Sequence, residues 1–344
     1  MAGPGAPGYE PRSMASPPRS MKRWITIGVL LAVAAVAGLT AWTGIAQAAH
    51  SALGAAWVLP GLMGVHLTQL FLSGLAWRAV AAGSLSMGRA MRLRLVREGI
   101  NSLLLAQVGG ELAAVRLLAR SGVPVPLAAA ATTLDLMLES VALPLFVLLG
   151  MGVLLAIGAD RAVLLPVLGG VGVAALGAGG FVLAQRAGLW RLVEGLLRRF
   201  APASLRVDGL HDTMARLARD RAALAWGLGL HVAAWAGGTF EIWLALWALG
   251  HPVGVAQACV IESLGMAARA AGFAVPGGLG VQEGGYLLAA KLFGLAPETA
   301  LAFSALKRLR ELVVGTIGIG LWQWAEARGA VAQSPAHIPA QPPR

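Results

Sequence analysis

Apolar runs long enough to cross a bilayer alternate along this chain with short arginine-rich segments. Trp24 to Ala46 is an unbroken apolar run of 23 residues preceded by Lys22 and Arg23. As a helix it covers about 35 Å at ~1.5 Å per residue, against a hydrocarbon core of about 30 Å. A turn at His50 and Ser51 leads into a returning run, Ala52 to Trp77, with Pro60 expected to kink it. Leu127 to Gly158, Ala162 to Gln185, Ala222 to Leu249 and Glu298 to Trp324 complete the pattern. It predicts an all-α polytopic integral membrane protein with about six full spans. Two pieces do not fit a plain span. Ile100 to Val108 is too short and ends in Gly109-Gly110-Glu111, and Pro276 to Gly285 reads PGGLGVQEGG. An unpaired N–H or C=O in hydrocarbon costs several kcal/mol, so broken helix survives only where protein buries it or where it lines a wet cavity. The two stretches therefore predict re-entrant, broken-helix hairpins.

The remaining polar segments divide the chain. Residues 1–20, rich in Pro, Gly and Ser, read as a disordered tail, residues 21–328 as one transmembrane domain, and residues 329–344 as a second disordered tail. Within the domain, residues 186–221 carry eight arginines in an amphipathic pattern, as a connector lying on anionic lipid would. Ala46-Gln47-Ala48 resembles a signal-peptidase site, but the run before it exceeds the 7–15 residues of a signal core, so it reads as a retained span.

Composition agrees with the pattern: charged residues make up only 12% of the chain, where a soluble domain carries about 25%. A net charge of +11 raises nucleic acid as a partner, yet the arginines lie between apolar runs, as the positive-inside rule requires. That placement excludes nucleic acid as the expected partner and puts both termini in the cytoplasm. The single cysteine, Cys259, excludes a disulfide framework and a Cys-based metal cluster. The six histidines show no paired spacing, so no metal is proposed. PGGLGVQEGG lacks the Lys-Ser/Thr of a nucleotide loop, and no cofactor is expected.

Sliding the chain on itself by 172 residues places Arg97 on Arg269, Glu111 on Glu283, Gly122 on Gly294 and Glu139 on Glu311. The halves, about 97–158 and 269–325, share one order: arginine, short apolar dip, glycine-rich turn, glutamate, short helix, long helix. The charge count opens them to opposite sides of the membrane, which predicts an inverted repeat whose broken elements meet near mid-depth.

Ionisable residues in the apolar segments supply the candidate chemistry. Asp135 and Glu139 share a helix face, as do Lys307 and Glu311 at the matching positions. Each such charge costs about 2.5–3.5 kcal/mol at a helix centre. Leu312 to Trp324 is too short to cross alone, so the KRLRE run, Lys307 to Glu311, is expected inside the protein. Lys307, Arg308 and Arg310, with Gln282, are the candidate headgroup-binding residues, and Glu111 and Glu283 the candidates for gating or proton coupling. Pro276, Gly277, Gly278, Gly280 and Gly284 supply the irregular backbone. Asp135, Glu139 and Glu311 are counter-charges; one reading has the acids of the first copy neutralising the bases of the second across the pseudo-two-fold axis, the other leaves those bases to receive the headgroup. Counting bases against nearby acids predicts a net positive site in the second copy, and hence a lipid with an anionic or polar headgroup. No catalytic residue is proposed.

VPGGLGVQEG followed by an apolar helix and LKRLRE resembles the transmembrane, flippase-like family of lysylphosphatidylglycerol synthases, with Asn101 to Glu111 resembling its first-half motif. More closely, IESLGMAARAAGFAVPGGLGVQEGGY through SALKRLREL is similar to the hopanoid-biosynthesis-associated membrane proteins called HpnL. In the first half, Leu104 and Gln107 stand where a proline-containing turn is usual. The resemblance implies a bacterial inner-membrane protein that translocates or handles lipid in hopanoid formation or export, without nucleotide hydrolysis. Its partners would be membrane lipids and hopanoid biosynthesis enzymes. The synthases carry a soluble aminoacyl-transferase domain, and the longest polar segment here is too short for one. A membrane enzyme acting on a lipid precursor through the same carboxylates, and a non-catalytic scaffold for hopanoid enzymes, are the alternatives.

Overall fold

The computed structural model describes residues 45–103, 109–158, 209–272 and 278–333, which form ten α-helices and one 3-10 turn. Most of the first expected span, the run Ala162 to Gln185, residues 186–208 of the connector, the tail 1–20, residues 334–344, and Pro276 and Gly277 lie outside the described residues.

Helix α1 (Ile45–Gly54) runs through His50 and Ser51, so the chain turns later than expected, in the 3-10 segment Ala56–Val58. Pro60 does not kink α2 (Leu59–Val80); it sits in the first turn, where its missing N–H has no helical partner to lose. A second departure matters more. Arg89, Arg92, Arg94 and Arg97, which positive-inside counting takes for a cytoplasmic loop, lie on a helix, α3 (Met87–Leu103), and Arg94 and Arg97 are each 4% exposed. The chain continues through α4 (Gly109–Arg120), α5 (Val125–Ala156) and α6 (Leu210–Leu217). Asp220 then caps α7 (Arg221–Ala248), its Oδ1 accepting from the Ala223 N–H at 2.9 Å. Helices α8 (Val255–Ala271), α9 (Val281–Lys291) and α10 (Pro297–Gln333) complete the order.

Among the described residues, two stretches, Ala56–Val80 and Val125–Ala156, are apolar and long enough to cross a bilayer on length and composition alone. Helices α4 and α9, with 12 and 11 residues, cover only about 17–18 Å at ~1.5 Å per residue. They pack against α3 and α8 as two helix pairs, whose joining residues 104–108 and 273–277 lie outside the described residues. The approach to α9 requires glycine, because Gly278 and Gly280 have φ of 63° and 81°, a region that costs an L side chain about 1–2 kcal/mol.

The 172-residue offset reappears in the helix boundaries. Gly109 and Val281 begin the short helices, Val125 and Pro297 begin the long ones, and the intervening turns carry Gly122 and Gly294 at φ 90° and 70°. Packing is reciprocal too: α3 lies on α10 as α8 lies on α5, while α2 lies on α7. Exchanging the halves maps each contact onto its counterpart, the pattern of an isologous two-fold interface. The α3–α10 contact is close because Gly99 faces Gly315 and Gly318 backbone to backbone. One apolar layer, with Leu62, Ile242, Ile261, Phe303 and Leu306, packs the second half against α1 and α2, and another, with Trp77, Val80, Leu118 and Leu134, fills the first. Phe71, Leu148, Leu149, Phe240, Leu288 and Ile317 point outward and are exposed.

Candidate functional site

Two networks of buried charge sit inside this helix bundle, one per half. In the first, α3 supplies two guanidiniums to carboxylates on α4 and α5. Arg94 Nη2 donates to both oxygens of Asp135 at 2.6 and 2.7 Å, and Arg97 Nη1 donates to Asp135 Oδ2 at 2.7 Å. Glu139 accepts from Arg94 at 3.0 Å, and Glu111 from Arg97 at 3.0 Å and from Asn101 Nδ2 at 3.1 Å. His231 Nε2 lies 3.0 Å from Asp135 Oδ1. The Trp77 ring lies under both arginines, 5.3 and 5.6 Å from its centroid, in the cation–π range.

In the second network α10 turns the KRLRE charges inward. Lys307 Nζ donates to both oxygens of Glu262 at 2.7 and 2.8 Å. Arg308 reaches Glu283 at 2.9 Å, Glu311 at 2.8 Å and Gln282 at 3.2 Å. Arg310 donates to Glu241 at 2.8 Å and lies 2.9 Å from His66 Nδ1. Gln282 Nε2 donates to the Tyr286 hydroxyl, which donates to Glu262, both at 2.9 Å. Glu283 also caps its own helix, accepting from the Gly280 N–H at 2.7 Å. Gly284, expected to belong to the break, lies within α9.

Two sequence expectations are corrected here. Asp135 and Glu139 do not neutralise the bases of the second copy. They take Arg94 and Arg97 of their own half, while Lys307 and Arg310 take Glu262 and Glu241 of theirs. Glu311 does serve as a counter-charge, to Arg308 and Arg269. The second site is also not net positive, because Glu98, Glu241 and Glu262 join it from other helices.

The networks meet at a cavity of about 250 Å3. Its wall holds Glu98 and Glu139 from the first half, and Glu241, Glu262, Glu311, Arg269, Lys307 and Arg310 from the second. Five carboxylates thus face three cations, with His66 beside them. Among the described residues, His66 Nε2 and Arg310 Nε are buried without a hydrogen-bond partner, Glu98 Oε1 lying 3.6 Å from His66 Nε2, a condition that a polar ligand would relieve. Glu111 stands behind the wall through Asn101, and Glu283 through Arg308, which reaches Gln282 and Glu311.

Asp135, Glu139 and His231 bring ligand atoms within 4.8 Å of one another, as a divalent cation would require. Their oxygens already accept from Arg94 and Arg97, so the donor set fits arginine neutralisation better than a metal.

Sequence reasoning missed His66, Gln69, Arg94, His231, Glu241, Glu262 and Tyr286 as members of these networks. Glu241 and Glu262 had a signal: each is a lone carboxylate in an apolar helix, the usual mark of a functional position. Gln69 donates to Glu241 at 2.6 Å across the same 172-residue offset, a polar match that lies outside the aligned stretch.

The sequence model of a family described as the lysylphosphatidylglycerol synthase TM region matches residues 25–318. No curated protein and no solved structure matches. The match covers most of the chain, so the chain belongs to that family. It is an all-α polytopic membrane protein, and the family ties it to membrane lipid.

Proposed function

Starting from that membership, we propose that this protein translocates or handles a membrane lipid by admitting the headgroup to the cavity between the two halves. The observation that carries the reading is a polar, charge-lined cavity walled by both repeats, in helices whose outer faces are apolar. At about 250 Å3 it is smaller than the roughly 300–1,000 Å3 of pockets that enclose a drug-sized ligand. A headgroup enters while the apolar remainder stays in the bilayer. With carboxylates in excess and each flanking cation already paired, the wall favours a polyhydroxylated or amine-bearing headgroup over a bare anion. Resemblance to the hopanoid-associated branch makes a hopanoid the first lipid to assay, in a bacterial inner membrane with both termini cytoplasmic. No nucleotide motif supports ATP-driven movement, so transfer is facilitated or coupled to an ion gradient.

The test is leaflet-resolved lipid transfer in proteoliposomes at equal protein abundance. Glu241 accepts from Gln69 and Arg310 in the cavity wall. Glu241→Gln is expected to slow transfer at least tenfold. Unchanged transfer removes the cavity from the pathway, and a chemically altered lipid product in detergent points to an enzyme instead.

A further inference from the structure

A second and larger cavity, about 370 Å3, lies where the ends of α3, α4 and α10 meet. Its rim holds Arg89 and Arg92 of α3, Arg120 of α4 and Arg328 of α10, and its floor includes Leu93 and Val96, which are 5% and 2% exposed. Leu117 and Leu321 extend the apolar surface, and Trp324 stands at the rim with its ring 4.0 Å from the Arg328 guanidinium carbon.

The arginines here contrast with their neighbours one turn along α3. Arg94 and Arg97 are locked into Asp135, Glu139 and Glu111. Arg89 and Arg92 make no ion pair among the described residues, and Arg92 donates only to the Gly88 carbonyl, at 3.3 Å. Among the described residues the carboxylate at this end is Glu326, held by Arg120 at 2.6 Å and also by Arg116 at 3.1 Å. Four guanidiniums therefore rim an apolar floor, and the described carboxylate beside them is already shared by Arg120 and Arg116.

Guanidiniums match the geometry of phosphate oxygens bidentately, and an apolar floor beneath them suits a hydrocarbon chain. We propose that this groove holds one anionic glycerophospholipid, its phosphodiester among Arg89, Arg92 and Arg328 and an acyl chain along Leu93, Val96 and Leu321. The positive-inside rule assigns this end of the bundle to the cytoplasmic leaflet, where such lipids are drawn to basic segments. The site is separate from the central cavity and does not depend on the headgroup path proposed above.

Purified full-length protein in phosphatidylcholine nanodiscs, doped with phosphatidylglycerol and released into native mass spectrometry, reads the site directly. Wild type is expected to retain one phosphatidylglycerol in preference to phosphatidylcholine. Arg89→Gln/Arg92→Gln/Arg328→Gln is expected to reduce that retention at least tenfold, with an unchanged melting temperature. Leu321→Gln, which keeps every charge, is expected to weaken retention of the lipid while leaving inorganic phosphate without effect on it. Equal retention by the triple variant, no preference in wild type, or displacement by millimolar inorganic phosphate would each overturn the proposal. If the triple variant unfolds, the Leu321→Gln comparison still decides it.

Discussion

Asp135 is where the buried charge is most concentrated. Its two oxygens accept from Arg94 and Arg97, its Oδ1 lies within hydrogen-bond distance of His231, and it is fully buried. Removing one partner of a buried pair leaves the other uncompensated, at about 3–5 kcal/mol. Asp135→Asn is therefore expected to lower the melting temperature in detergent steeply, by the stability equivalent of roughly that amount. The double reversal Asp135→Lys with Lys307→Asp gives a sharper outcome. Were the two residues partners, it would restore stability. They belong to different networks, so reversal places like charges beside Arg94 and Glu262 and is expected to be worse than either single change. Recovery of the melting temperature in the double variant would contradict the pairing described here.

Between helices, the contact of α3 with α10 depends on the absence of side chains. A Cβ at Gly318 would fall on the Leu95 carbonyl and close to the Leu95 carbonyl carbon and Gly99 Cα, all backbone atoms that cannot swing aside. Gly320, two residues on, has nothing within 4 Å. Gly318→Val is expected to separate the two helices and destabilise the protein by several kcal/mol, a cost typical of core overpacking at its upper end. Gly320→Ala is expected to melt at or above wild type, since Ala gains up to ~1 kcal/mol over Gly in a helix interior. Thermal unfolding of the pair in one detergent makes the comparison. These helices also show what local pattern can and cannot carry. Helices α5 and α7 were legible to within a few residues because apolar runs bounded by charge leave few alternatives, and burial of Lys307 to Glu311 was legible because four charges in five residues cannot face lipid. The buried role of Arg94 and Arg97 was not legible. Positive-inside counting treats arginines between apolar runs as solvated, and the carboxylates that neutralise them lie about forty residues downstream on α5. Pro60 failed for a nearer reason: a proline at the first turn and a proline in mid-helix read alike until the turn before it is placed.

Across the molecule, repeated helix boundaries and reciprocal packing describe two related halves, and the distribution of arginine leads us to propose that they open to opposite sides of the membrane. That inversion gives a specific outcome. Ser121 and Ala296 are exposed residues in equivalent turns after the two short helices. In a Cys259→Ala background, cysteines introduced singly at these positions are expected to show opposite accessibility to an impermeant maleimide in intact spheroplasts. Labelling from the same side would rule out an inverted repeat. The charge networks then have a joint consequence: the close ion pairs of Asp135 and of Lys307 and Arg310 stay within their own halves, while Gln69, His66 and His231 reach across, so the surface where the halves meet is lined with polar groups available to a ligand. The most direct measurement uses that shared cavity. Ser102 lines it, and Ser102→Cys in the Cys259→Ala protein can be modified reversibly by a charged methanethiosulfonate. Leaflet-resolved lipid transfer in proteoliposomes is predicted to fall at least tenfold on modification and to return when reductant removes the adduct. Transfer that continues unchanged with the cavity stoichiometrically blocked would contradict a headgroup path between the halves.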